Sequence, residues 1–395
     1  MRNRVVLVLS FFLPALLVIV FFYMRGEKAW EIWNIPTIQP SFIDARIITG
    51  GAESHELGFK PEIENPQDPY GRLFNLPSAW KLLFLLGINQ SHTSIFAGIL
   101  AVSFFVGLVL FAGSLNSNSV FLLAICTFSP PVMLALERGN VDLLIFLLCV
   151  LSLVWLEKNQ ILSLSLLWIA GILKIYPIFG LTCIFYLDKK NFSRLFMFFM
   201  FAFGAYSLLT LDSFRRAFSN TEVGFDLSYG LGVLPFYVEI VSGSYLYTLI
   251  ASLASILFVI LIVFLVLNLW ARSHYLLVGT DIFHLSAFRL GAGIYIGTFL
   301  LGNNWDYRLI FLLFTIPQLI DWGKQTRVAK YTLVATMISF FYLWIKMFIP
   351  FAYFLDEISN WMVFAGLFYL MIISLPEWAR DEAYLFFERY KRKNV

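Results

Sequence analysis

The sequence predicts an all-α, polytopic integral membrane protein, a bundle of about 10–12 transmembrane helices with a long structured first extracytoplasmic loop. Composition and run length carry this expectation, and the placement of charge orients it. Of 395 residues, 60% are hydrophobic and only 13% charged, and the mean hydropathy is +0.80, far outside soluble usage. The apolar residues arrive in runs of about 16–25, the length that crosses a hydrocarbon core roughly 30 Å thick. A chain this apolar has too few polar side chains to cover a wet surface, so a soluble globule is excluded. The formal charge of +3 is too small to imply nucleic acid. Cys126, Cys149 and Cys183 all sit inside apolar runs, where they act as small hydrophobes. Neither a disulfide framework nor a metal site is suggested.

Taken in order, residues 5–23 form a first span behind the basic start Arg2 and Arg4. The following Met24-Arg25-Gly26-Glu27-Lys28 offers no small-x-small cleavage site, so this span is expected to be retained. Residues 24–91 form the longest polar stretch, too long for a simple connector and expected to be partly structured. Near its end, 79–86 is apolar but too short to cross, which suits an interfacial or re-entrant helix. Further spans are expected at 92–113, 120–136, 141–156, 195–211, 245–270, 283–301, 307–320, 330–348 and 361–375. Segment 161–187 differs, because Lys174 and Pro177 interrupt its apolar helix. If it enters and returns as a hairpin, Arg2 and Arg4, Lys189, Lys190 and Arg194, Lys324, Arg327 and Lys330, and the tail Arg389 to Lys393 share the inner side. That is the positive-inside pattern, and a single crossing would invert every later loop. Residues 1–395 thus read as one transmembrane domain, ending in a short amphipathic cytoplasmic tail at 376–395.

Charges at membrane depth are costly and mark function by default. Four polar clusters border apolar runs, all on the outer side in the hairpin topology. The first lies in the long loop, as Asp44-Ala45-Arg46 and then Asn65-Pro66-Gln67-Asp68-Pro69-Tyr70-Gly71-Arg72 and Asn75-Leu76-Pro77. The second is Glu137-Arg138-Gly139-Asn140-Val141-Asp142, the third the break at Lys174, and the fourth Asn303-Asn304-Trp305-Asp306-Tyr307-Arg308. Each also has a bland reading. Asn140 and Asp142 can cap a helix, Arg308 and Lys174 can snorkel, and Asp44 can be one solvated acid among several. Independent caps and snorkels have no reason to share a side, so their convergence argues for one site. Lys174 and Arg308 suit a lipid phosphate at the membrane boundary, while a loop carboxylate could accept a proton from an acceptor hydroxyl. The histidines are scattered, and no Gly-rich phosphate loop or metal-ligand cluster competes.

In this order, Phe42-Ile43-Asp44-Ala45-Arg46, Arg138-Gly139-Asn140-Val141-Asp142, Ala170-Gly171-Ile172-Leu173-Lys174-Ile175-Tyr176-Pro177 and Asp306-Tyr307-Arg308-Leu309-Ile310-Phe311 resemble the GT-C superfamily of membrane glycosyltransferases. Within it the pieces resemble glycosyltransferase family 87, which includes polyprenyl-phosphate-mannose-dependent mannosyltransferases. The resemblance implies a GT-C-like bundle in a bacterial plasma membrane, working on its extracytoplasmic side without a cofactor. It implies a polyprenyl-phosphate sugar donor, a lipid-linked or glycan acceptor, and contact with membrane lipids. Asp44 matches the family's base by position. Arg46, Arg138, Asn140, Asp142, Lys174, Tyr176, Asn304, Asp306, Tyr307 and Arg308 are then the expected substrate-binding residues. Two departures stand out: Asn75-Leu76-Pro77 where N-Y-P is expected, and Arg138-Gly139-Asn140 where R-G-Q is expected.

A lipid or solute transporter is the main alternative, since broken helices also build solute sites. It should show paired half-helices in two related halves, and the sequence offers one clear break and no internal repeat. A non-catalytic scaffold has no need of charges inside its spans.

Overall fold

The structure is a computed structural model that describes residues 2–221, 223–272, 281–349 and 352–382. It is all-α apart from one two-residue antiparallel ladder, in which Ser228 faces Trp305 and Tyr229 faces Asn304. Among the described residues, six helices are long and apolar enough to cross a membrane: Gln90–Ala112, Lys189–Leu209, Tyr245–Trp270, Ile282–Leu301, Arg327–Lys346 and Ala352–Ile373. At the α-helical rise each is about 30 Å or longer. The protein is therefore a multi-pass membrane protein. A count of about 10–12 spans requires shorter apolar helices, Asp142–Trp155, Gln160–Leu173 and Tyr176–Tyr186 among them, to cross as well.

Two segments depart from straight spans. Residues 120–136, expected as one span, are instead the helices Ser117–Thr127 and Pro130–Arg138, bent by 55° at Phe128 and Ser129. The cause is local: Pro130 and Pro131 open the second helix, and prolines have no N–H to continue the first. The second is the segment broken at Lys174, whose backbone is extended at φ −149° and ψ 137°. Its two legs lie side by side and return to the same end. Lys174 Nζ meets Asp142 Oδ1 at 2.7 Å at one end, while the Tyr186 hydroxyl donates to the Leu156 carbonyl at 2.8 Å at the other. The hairpin expected from the charge pattern is thus the observed geometry. Beyond it, Trp378 Nε1 donates to the Leu187 carbonyl at 2.9 Å and so ties the chain after the Ala352–Ile373 helix to that far end. The basic residues Arg389 to Lys393 lie outside the described residues.

The hairpin legs and the Asp142–Trp155 helix are short. Fourteen α-helical residues in Asp142–Trp155 and in Gln160–Leu173 span about 21 Å, roughly 9 Å less than a 20-residue neighbour. Because the far ends meet the rest of the bundle, the deficit falls at the Lys174 end and leaves a recess there. The loop helix Ile43–Glu56 lines that recess through Ile43, Asp44 and Ile47, and the Ser78–Leu86 helix follows the wall residues Asn75 to Pro77. Buried Trp80 fixes the second of them, donating its indole N–H to the Leu173 carbonyl at 2.9 Å. Leu82, Leu85 and Leu86 of the same helix stay largely exposed, as an interfacial helix requires.

The Ile282–Leu301 helix is the axis of the bundle, 83% buried over its most apolar stretch. It packs on the returning leg of the hairpin through Gly293 and Gly297. An added Cβ at Gly293 would run into Thr182 Oγ1 and the Phe179 carbonyl. We expect Gly293→Ala to lower stability by about 1–3 kcal/mol through overpacking. Gly204→Ala, at a helical position with open space around it, should be neutral or stabilising. Thermal unfolding of the two variants in detergent measures the difference.

Candidate functional site

A cavity of about 670 Å³ fills the recess, enclosed by the first loop, the Lys174 turn, the 217–223 segment and the 301–308 segment. Asp44 reaches it from the first turn of the Ile43–Glu56 helix. The helix can approach so closely because Gly139 stands opposite: at φ +59°, an added Cβ there would lie 3.0–3.2 Å from Ala97, Ala45 and Phe42. Glycine between Arg138 and Asn140 is therefore a packing requirement as well as a helix terminator.

Asn140 joins the two halves of the site. Its Oδ1 accepts the Asp142 backbone N–H at 2.9 Å, which leaves Nδ2 to donate to Asp44 Oδ2 at 2.6 Å. The other carboxylate oxygen of Asp44 lies 3.6 Å from Arg72 Nη1. Arg72 is itself held by Asp68, whose carboxylate accepts from the backbone N–H groups of Tyr70 and Arg72 at 3.0 Å and from Arg72 Nη2 at 2.9 Å. Arg72 also donates to the Ile43 carbonyl, so the loop and the helix that carries Asp44 are fastened together.

Below Asp44 the floor is cationic. The Asp142 side chain is completely buried, 2.7 Å from Lys174 Nζ and 3.9 Å from Arg308 Nε. Arg308 donates to Asn304 Oδ1, and Asn304 Nδ2 donates to the Thr298 carbonyl at 2.6 Å. Tyrosine faces complete the enclosure. Lys174 Nζ lies 5.9 Å from the Tyr176 ring centre and 5.8 Å from that of Tyr307, and the Arg308 guanidinium lies 5.2 Å from Tyr176. Two cations thus share one buried carboxylate, an arrangement with an excess positive charge that an anion from the cavity can neutralise.

Of the residues expected at the site, Asp44, Arg138, Asn140, Lys174, Tyr176, Asn304, Tyr307 and Arg308 line this cavity, and Asp142 lies immediately beneath it. Arg46 and Asp306 do not line it. Arg46 turns to Gln90, donating to Oε1 at 2.6 Å, and to the Ser41 carbonyl at 3.0 Å; burial lowers its pKa from the ordinary value. Asp306 is buried behind the floor, its backbone N–H donating to the Leu227 carbonyl at 2.8 Å. Arg138 reaches the cavity wall with its Nε 3.2 Å from Glu137. Asp68 and Arg72 belong to the first polar cluster but not to the expected substrate-binding residues; an Asp and an Arg four apart around Pro69-Tyr70-Gly71 were the signal for their pairing. Among the described residues no group of three or more His, Cys, Asp and Glu side chains could hold a metal.

The chain matches no protein-family model, no curated protein and no solved structure.

Asp142→Asn would strand Lys174 and Arg308 together without their anion. We expect a loss of about 3–5 kcal/mol, measured by thermal unfolding in detergent. Inorganic phosphate should restore part of the loss in this variant; no recovery at saturating phosphate would argue against an anion site on these cations.

Proposed function

We propose that the protein is a membrane glycosyltransferase with a GT-C-like bundle of about 10–12 spans. On this reading it moves a hexosyl group from a polyprenyl-phosphate sugar to a lipid-linked or cell-envelope glycan acceptor on the extracytoplasmic side; the resemblance in sequence points to mannosyl. The observation that carries it is the meeting of Asp44, Lys174 and Arg308 in one recessed cavity. The recess supports a lipid-borne donor, because a phosphate attached to an isoprenoid can reach a floor sunk toward the bilayer without leaving its leaflet.

The reaction is a single displacement with inversion. The acceptor hydroxyl oxygen attacks the anomeric carbon, the bond from that carbon to the phosphate oxygen breaks, and the acceptor proton passes to Asp44. Lys174 and Arg308 take up the charge that develops on the departing polyprenyl phosphate. A glycosyl phosphate already carries a good leaving group, so one carboxylate suffices where a glycosidase usually uses two. Asn140 and Arg72 each occupy one side of the Asp44 carboxylate, and a carboxylate has about four acceptor positions, which leaves room for the substrate hydroxyl.

General-base help is typically worth about 10²- to 10⁴-fold in rate. Asp44→Asn should therefore reduce transfer by that factor while purified protein still binds the polyprenyl-phosphate sugar. Full activity in the variant would remove Asp44 from the role.

The second break, at 128–129, favours a transporter more than the sequence alone did, since Arg138 at the end of one broken segment and Lys174 at the break of the other both line the cavity. The two readings separate on purified protein given polyprenyl-phosphate sugars. Release of polyprenyl phosphate with sugar transfer supports the enzyme, and vesicle uptake without transfer supports transport.

A further inference from the structure

We infer that the rim of the cavity beside Asp44 is an acceptor subsite for a hexopyranose ring, with Tyr70 as its stacking platform and the Asn75 amide as its hydrogen-bonding partner. The inference rests on the glycosyl-transfer reading for its place in the reaction, and on the loop geometry for its chemistry.

Tyr70 is 58% exposed, yet it is held at two ends. Its backbone N–H donates to Asp68 Oδ1 at 3.0 Å, and its hydroxyl donates to the Gln39 carbonyl at 2.5 Å. Gly71 follows at φ +65°, a turn conformation that glycine adopts without strain and that reverses the chain toward Arg72. Holding a large side chain rigid without burying it sacrifices conformational freedom for no gain in the unliganded protein. A ligand that binds such a ring meets a surface whose ordering is already complete. Tyrosine is well suited to this use, since it offers a flat apolar face at the expense of only two side-chain torsions.

A pyranose has a complementary shape, with a face of C–H groups and a rim of hydroxyls. The amide of Asn75, on the same cavity wall, can donate to one hydroxyl and accept from its neighbour. The position is also right for reaction. Tyr70 and Arg72 come from the same Asp68-centred turn, and Arg72 Nη1 is 3.6 Å from Asp44. A sugar stacked on Tyr70 is thus presented to the carboxylate proposed to activate it. An aromatic residue serving only as a membrane-interface anchor would face lipid, whereas Tyr70 lines the cavity.

Equilibrium binding of radiolabelled hexyl mannopyranoside to the full-length protein in lipid nanodiscs tests the subsite, with hexanol as the control. The wild type should bind the glycoside in clear preference to hexanol. Tyr70→Ala should weaken glycoside binding about tenfold, and Tyr70→Phe, which keeps the ring and loses only the tether, by less than about threefold. Undiminished glycoside affinity in Tyr70→Ala, or an equal loss in Tyr70→Phe, would overturn the inference. Because binding is read without turnover, a protein that transfers sugar but binds the glycoside equally well as Tyr70→Ala loses the subsite alone. A protein that shows the ring-dependent binding without any transfer loses the enzymatic reading instead.

Discussion

One buried carboxylate organises the molecule. Asp142, with no side-chain exposure, lies between Lys174 and Arg308, and each of these comes from a different part of the chain. Removing such a charge from water costs several kcal/mol, so it is tolerated only where its partners are fixed in place. The surrounding architecture supplies that fixation. The hairpin turn brings Lys174 up to Asp142, the Asn304 amide steadies Arg308, and the Asp142 backbone orients Asn140. Asn140 then orients Asp44, so the placement of a loop carboxylate depends on a charge buried in the bundle.

The depth of the site follows from helix length. Legs of about 21 Å beside neighbours of about 30 Å leave a recess that no long side chain fills. The Ile43–Glu56 helix lines it, and Trp80 ties the neighbouring loop helix to the hairpin turn. Elsewhere in the bundle, buried charge serves structure. Arg289 donates to the Ser374 carbonyl just past the Ala352–Ile373 helix, where a cation suits the negative end of the helix dipole. Burial of a charge is thus an incomplete guide to function in this chain, and the partner it meets distinguishes the two uses.

Much of the membrane character was legible from the sequence, because run length and loop charge follow directly from the properties of a bilayer. The hairpin was legible too, since Lys174 and Pro177 mark the break and the basic loops indicate a return. The bend at 128–129 was harder to read, because its apolar flanks keep hydropathy continuous across Pro130 and Pro131. Within the site, Asp44, Lys174 and Arg308 converge as their shared side implied. Arg46 and Asp306 show the limit of that inference: neighbours in sequence of cavity residues, they point elsewhere because a helix distributes adjacent side chains around its axis. The role of Arg72 was hidden for the opposite reason, since its approach to Asp44 is made by a turn that the Asp68 carboxylate and the Asn65 amide help assemble.

The shortness of the hairpin has a consequence for the bilayer itself. Ile161 and Ile169 on its first leg are exposed, so this flank meets lipid directly. A membrane thick enough for the Ile282–Leu301 helix exceeds that leg by about 9 Å, a hydrophobic mismatch confined to one side of the protein. Lipids there must thin or tilt to keep their tails covered. On the proposed function, such thinning would lie at the mouth of the cavity and bring headgroups toward Lys174, on the flank from which a lipid phosphate would arrive.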